Sequence, residues 1–217
     1  MNFSIYLKFF LFAVLLVLLS TVGFNRLIDP YALYGDPTIE GVNANKPAFS
    51  SHAYMAKATA VTVAPPTTIF LGSSRGERGM DPHHPALRGD QRYNLSLSGS
   101  SIYEALRYFQ HSHATESLKQ VVLGLGLRQF KHADQVSPSF TEERLSVSAE
   151  GATQNRSWLP ADLAVIASLD SIAASIETLW KQDETPHLLL HGEYNPQRLI
   201  EDMTNHRADF LSNEKSY

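Results

Sequence analysis

The chain of 217 residues contains no cysteine. That excludes a disulfide framework, a thiolate metal site and a cysteine nucleophile. It is compatible with an oxidising compartment without proving one. Basic residues are neither in excess nor clustered. Eighteen Lys and Arg stand against 22 Asp and Glu, with no basic run or stripe, which argues against a nucleic-acid partner. Long apolar runs are missing after residue 24. The single one, Phe9 to Phe24 (FFLFAVLLVLLSTVGF), dominates the N-terminus.

With Phe3 to Leu7 added, that run is long enough to span a bilayer, Lys8 snorkelling to the headgroups. A cleaved signal peptide is the alternative. Thr21-Val22-Gly23 is a poor small-x-small cleavage site, which favours a retained single-pass anchor contacting lipid through residues 3–24. Lys8 and the amino terminus precede the span; Arg26, then Asp29, Asp36 and Glu40 follow it. The positive-inside rule therefore puts the bulk outside the cytoplasm, in a periplasmic or other extracytoplasmic space. Three regions are expected: an anchor over 1–24, a membrane-proximal segment over 25–66 and an α/β domain over 67–217.

The segment 25–66 is rich in turn formers, among them Asp29-Pro30, Gly35-Asp36-Pro37 and Lys46-Pro47. It reads as extended, with a short helix at Ser51 to Ala60. Pro65-Pro66 stops the chain before Thr67 to Leu71, a short apolar run that ends in Gly72-Ser73-Ser74. Such a run suits a buried parallel strand that delivers a side chain to the top of a sheet. Ser74 is the residue delivered. It suits a nucleophile, and it equally suits a turn whose serines cap the next element. Arg92 to Leu97 and Gln120 to Leu123 are further strand candidates, each ending in small residues: Ser98-Gly99-Ser100-Ser101 and Gly124-Leu125-Gly126. Ser101-x-x-Glu104 is a capping box. Ile102, Ala105, Leu106 and Phe109 follow at helical spacing and predict a core-facing stripe that frays near His111-Ser112-His113. Three strand endings with a helix between them predict an α/β sheet with its site at the carboxyl ends of the strands. His132 to Pro160 lacks periodicity and reads as a surface insertion or lid. Leu163, Ile166, Leu169, Ala173, Ile176 and Trp180 predict one helix opened by Pro160 and packed on the sheet. His187 to His191 is a candidate strand. A last helix is capped by Asn195, with a stripe of Leu199, Ile200, Met203 and Phe210.

Gly72-Ser73-Ser74 followed by Asn94-Leu95-Ser96-Leu97-Ser98-Gly99 resembles the first two blocks of SGNH/GDSL-type hydrolases. Leu71 to Arg75, Tyr93-Asn94-Leu95 and Ser101 to Glu104 resemble more closely a mostly uncharacterised group of membrane-anchored bacterial proteins with an extracytoplasmic SGNH-like domain. The resemblance covers roughly Ile69 to Phe130. It implies a flavodoxin-like, three-layer parallel sheet and an esterase or O-acyltransferase acting on cell-envelope polysaccharide. It implies Ser74 as the nucleophile and the backbone N–H groups of Ser74 and Gly99 as oxyanion donors, aimed where charge develops on the acyl carbonyl. No cofactor is implied.

The chain departs from the family pattern in two places. The third block, Gly-x-Asn-Asp, aligns with Gly124-Leu125-Gly126-Leu127 and lacks the asparagine. No Asp-x-x-His, the family's source of the general base, follows Gly126. A serine hydroxyl is a weak nucleophile without a base in reach. Asp81-Pro82-His83-His84 has the spacing but follows Ser74 too closely, and Asp202 and His206 share a helix face. His111-x-His113 has the spacing of a metal pair without an evident third ligand, so no metal is expected. His52, His132, His187 and His191 have no distinguishing context. Asn94-Leu95-Ser96 and Asn155-Arg156-Ser157 match the glycosylation pattern formally. The expectation is an SGNH-like sheet incomplete at its C-terminal end, weakly active or inactive. A non-catalytic anchored domain that binds glycan or protein is the alternative, as is a truncated product of a longer hydrolase gene.

Overall fold

The computed structural model describes residues 3–35, 38–87, 91–131, 135–154, 159–189 and 191–205. Helix α1 (Phe3–Ile28) is followed by α2 (Ala48–Ser51) and α3 (Ala53–Val63). Strand β1 (Thr68–Leu71), helix α4 (Ser74–Gly79), strand β2 (Arg92–Asn94), helix α5 (Ile102–His113), strand β3 (Gln120–Leu123) and helix α6 (Leu127–Lys131) come next. A 3₁₀ turn at Glu142–Arg144 precedes α7 (Leu159–Ile166), α8 (Leu169–Trp180) and α9 (Pro196–Asn205).

The protein is mixed α/β. Its three strands are parallel in the order β2-β1-β3. Ile69 is opposite Tyr93 on one side and Val121 on the other. Being central, β1 is buried at every position, which explains its unbroken apolar run. The ladder outlasts the formal end of β2: Leu95 N–H donates to Phe70 O at 2.9 Å and Leu97 N–H to Gly72 O at 3.0 Å. On the open edge, Val121 and Leu123 of β3 are exposed.

The main core lies on one sheet face. Ile69 and Leu71 meet Tyr54, Ala58 and Val61 of α3 and Tyr108 of α5. Each fully buried aliphatic side chain there contributes about 1.5–3 kcal/mol. The capping box starts α5 as expected. Ser101 Oγ accepts from Glu104 N–H at 3.2 Å, and Glu104 Oε2 accepts from Ser101 N–H at 2.7 Å. The buried stripe of α5 is rotated from the expected one: Leu106 is exposed, while Ala105, Arg107, Tyr108 and His111 are buried. Polar residues supply part of the inward face because partners wait for them, which apolar periodicity cannot register.

The segment expected to be a lid is built into the core. Leu145 and Val147 are fully buried beside Tyr108. Buried Arg107 holds the segment in place: Nη2 donates to Glu142 Oε2 at 2.6 Å, Nε to both Glu142 oxygens at 3.0 Å and Nη2 to Val147 O at 3.3 Å. The bidentate fork fixes orientation as well as distance. His111 is likewise no frayed end. Ser146 N–H donates to its Nδ1 at 2.9 Å, so Nε2 carries the proton and donates to Ala58 O at 2.8 Å. That pairing fixes one neutral tautomer, and burial pushes the imidazole pKa below its usual value.

The N-terminal helix runs four residues past the expected boundary. A window of α1 reaches a mean hydropathy of 2.4, long and apolar enough to cross a membrane. Its last turns dock on the C-terminal half. Asn25, fully buried, donates through Nδ2 to Ile166 O at 2.7 Å and accepts from Ser175 Oγ at 2.7 Å. The expected single helix over 163–180 is therefore two helices, α7 and α8. Ser168 caps the second by accepting from Ser171 N–H at 3.1 Å. The expectation that it packs on the sheet is overturned. The face of α8 against α1 is Ser171, Ala174, Ser175 and Thr178, small residues that permit close approach. Leu169 and Trp180 are 81% and 84% exposed, with Ile176 and Leu179 also outward. In α9, Ile200 and Met203 are exposed as well. Of the candidate strand over 187–191, Leu188 forms only an isolated antiparallel bridge with Tyr194, and Leu190 lies outside the described residues. His132, Asn155, His206 and Phe210 lie outside the described residues.

Candidate active-site cleft

The strand order reverses at β1, with β2 on one side and β3 on the other. In such sheets the crevice opens outside the carboxyl ends of the strands. A cleft of about 1260 Å³ lies there. Ser73 and Ser74 after β1, Ser98 to Ser101 after β2, and Gly124 to Gly126 after β3 all line it. Ser74 and Gly99, singled out separately from sequence, thus share one cleft.

Ser73 is the N-cap of α4 and Ser74 its first residue, although the Ser73 side chain makes no capping bond. The helix can sit this close to the sheet because residue 76 is glycine. A Cβ at Gly76 would approach Ser96 Oγ to 2.6 Å. Gly99 has its own local cause. Ser100 N–H donates to Leu97 O at 3.1 Å, closing a turn in which Gly99 takes φ +80°. Glycine is the residue that adopts that conformation without strain.

Three buried polar groups under the cleft fix its walls. The first is Asn94, fully buried. Its Nδ2 donates to Gly76 O at 3.0 Å and Met80 O at 2.8 Å, satisfying carbonyls at the end of α4, while Oδ1 accepts from Ser96 N–H at 2.9 Å. An amide so enclosed is closed to glycosylation in the folded state. The second is the pair of Lys57 and Glu77. Lys57 Nζ, wholly inaccessible, donates to Glu77 Oε1 at 2.9 Å and to Ser96 O at 2.6 Å. Burial pulls the Lys57 pKa down, and the Glu77 carboxylate opposes that shift. Glu77 Oε2 accepts from Ser98 Oγ at 2.5 Å. One ion pair thereby joins α3, α4 and the turn that carries Gly99. The third is Glu104, which adds bonds from Tyr54 Oη (3.3 Å) and Ser137 N–H (2.7 Å) to its capping role. That last bond holds the Ser137–Pro138 rim of the cleft. Sequence reasoning missed Lys57, Glu77 and the amide of Asn94 as positioning residues. Nothing in their local pattern marks them, since the partners of Lys57, Glu77 and the Asn94 Nδ2 lie 14 to 39 residues away.

The charged residues lining the cleft are Arg75 and Arg78. Among the described residues lining it there is no histidine, aspartate or glutamate to serve Ser74 as a base. Asp81 and His84 are occupied in their own loop: Asp81 Oδ1 accepts from His83 N–H at 2.7 Å and His84 Nδ1 from Ala86 N–H at 3.2 Å. Gly126, where the family pattern has asparagine, offers no side-chain donor, and Leu127 after it opens α6. His113 stacks on Phe109, with ring centroids 5.9 Å apart, while His111 is the buried neutral imidazole described above. The two do not form a metal pair. Comparisons with protein-family models, with curated proteins and with solved structures returned no match for this chain.

Proposed function

We propose that the chain is a membrane-anchored, extracytoplasmic protein of SGNH hydrolase type. Its cleft takes an acylated glycan of the cell envelope, and Ser74 is placed to attack the acyl carbonyl. The observation that carries this reading is the convergence of Ser74 and Gly99 on one cleft at the carboxyl ends of β1 and β2. The strand order β2-β1-β3 is also the start of the flavodoxin-like order 2-1-3-4-5. In the reaction, Ser74 Oγ would bond to the acyl carbon while its proton passes through water to the departing sugar oxygen, and the Ser74 and Gly99 N–H groups would hold the oxyanion. Water or an acceptor hydroxyl would then take the acyl group and return a proton to Ser74 Oγ. With no base among the described lining residues, turnover is slow. Donors and substrate positioning alone leave on the order of 10³-fold acceleration over water in serine hydrolases that lack a working triad.

The membrane part of the reading rests on α1 and on the outward stripe of α8. Leu169, Ile176 and Trp180 form the exposed face of a helix that is docked through Ser175 on the last turns of α1, and a bilayer surface would cover that face.

The test is labelling by a fluorophosphonate together with hydrolysis of an activated acetyl ester. Labelling is expected to be slow, to fall on Ser74 and to vanish in Ser74→Ala. Labelling at Ser73, Ser98 or Ser100 would defeat the assignment. The lack of a base among the described residues that line the cleft favours a second reading, a binding domain for glycan or protein. That reading expects glycan retention by Ser74→Ala to equal that of the parent, with no labelling of either.

A further inference from the structure

Away from the cleft, three potential metal ligands from two distant stretches of chain converge. His83 Nε2 lies 3.2 Å from His191 Nδ1 and 3.6 Å from Glu193 Oε1, and one donor atom of each residue falls within 4.8 Å of the others. A tetrahedral ion with bonds of 2.0–2.2 Å to nitrogen and oxygen separates its ligands by about 3.3 Å. The two measured edges bracket that value. The imidazole rings meet edge to face, 86° apart, so they are not simply stacked.

A second observation points the same way. Glu193 is 6% exposed, and its Oε2 is buried without a hydrogen-bond partner among the described residues. A buried carboxylate with an unsatisfied oxygen is costly unless positive charge stands beside it. Lys57, whose charge Glu193 feels, already gives its short contacts to Glu77 and Ser96. A cation between Glu193 and the two imidazoles would offset the cost.

Both halves of the cluster are held by backbone. Asp81 Oδ1 fixes His83 through its N–H at 2.7 Å. His191 and Glu193 flank Gly192, which takes φ +82° in a turn closed by Gly192 N–H to Leu189 O at 2.9 Å. A Cβ at Gly192 would come within 2.3 Å of Asn94 O, so the turn lies hard against β2, and Asn94 N–H donates to His191 O at 2.8 Å. His83 and His191 are exposed, leaving a fourth position open to water.

We propose that His83 Nε2, His191 Nδ1 and a Glu193 carboxylate oxygen bind a divalent ion of the zinc class. Two imidazoles and one carboxylate suit that ion's preference for nitrogen and oxygen donors. The ion ties the segment after α4 to the turn at Gly192, which lies against β2. The site is independent of the hydrolase reading, since none of its ligands lines the Ser74 cleft.

The experiment uses the full chain in detergent micelles, purified without a histidine tag and stripped by a chelator. Cobalt(II) is titrated as a spectroscopic stand-in, and zinc is then added in competition. One equivalent of cobalt should bind with intense tetrahedral absorption in the visible, and zinc should displace it. His83→Ala and His191→Ala, both at exposed positions, should each weaken binding at least ~100-fold, the upper end of the loss seen even for an outer-shell partner. Glu193→Gln should also weaken it, and His84→Ala should not. Circular dichroism reports that each variant is folded. Absence of stoichiometric uptake, or uptake unchanged in folded His83→Ala and His191→Ala, would overturn the proposal. Those results would leave the cluster as a hydrogen-bonded histidine pair beside an acid.

Discussion

Replacing Lys57 by methionine tests whether one ion pair holds the cleft together. Lys57 is 0% exposed and Glu77 5%, so neither charge can turn to solvent when its partner is lost. In Lys57→Met the Glu77 carboxylate keeps the Ser98 hydroxyl as its hydrogen-bond donor, and Ser96 O loses the Lys57 ammonium. Leaving one member of a buried pair alone costs about 3–5 kcal/mol. At about 1.4 kcal/mol per tenfold, that is a change of two to three and a half decades in the unfolding equilibrium. Lys57→Met/Glu77→Leu removes both charges and should recover most of the loss, because replacing a buried pair with apolar groups is often neutral. The deficit that remains is about 1 kcal/mol from buried Ser96 O, which has lost its donor, while the exposed Ser98 hydroxyl turns to water. The assay is urea denaturation of the full chain in micelles, followed by near-ultraviolet dichroism, with the coupling taken from the double-mutant cycle. Adding Glu77→Leu to Lys57→Met should restore about 2–4 kcal/mol. Additive effects, or a single-variant cost below about 1 kcal/mol, would refute the claim that this pair fixes α4 and the Gly99 turn. A stable Lys57→Met chain in which Ser74 is labelled as in the parent would refute the positioning role alone.

Two further outcomes follow from other parts of the fold. His111 is neutral and buried, with a pKa below that of the unfolded chain. Its contribution is therefore complete above the unfolded value of about 6.5 and is lost as pH falls toward the folded value, at up to about 1.4 kcal/mol per pH unit. His111→Gln should remove that slope in a pH series of urea midpoints, and an unchanged slope would assign it elsewhere. Trp180 should be quenched by brominated lipid when the Trp158→Phe chain is reconstituted, and less so when Leu169→Asp and Ile176→Asp are added. Strong quenching by aqueous iodide instead would place α8 away from the bilayer surface.

Some of this protein was legible because its cause is local. The apolar run over 3–24 needs only its length to be capable of crossing a bilayer. Three strands could be found because each pairs a short apolar run with a small-residue stop. Ser101 and Glu104 announce the start of α5 because both partners of a capping box lie within four residues. Ser74 and Gly99 could be proposed as neighbours because their motifs end strands of one predicted sheet. Periodicity misled where its premise failed. It assumes that the apolar face of a helix turns inward, and α8 turns its serines and threonine toward α1 and its Leu169 and Trp180 outward. It also passed over 135–154, where Leu145 and Val147 are too few to set a period yet are buried by the Arg107–Glu142 fork.

What the sequence determined by itself was the inventory: an apolar helix long enough for a membrane, parallel strands ending in serine and glycine, and no cysteine. Only the tertiary structure decided which histidines among the described residues stand near a carboxylate, which lysine lies sealed beneath the cleft, and which described residues line it. Those facts depend on residues far apart along the chain, such as His83 and His191, separated by 108 positions. Strand order and helix docking bring them within bonding distance, and short-range preferences carry no information about that approach.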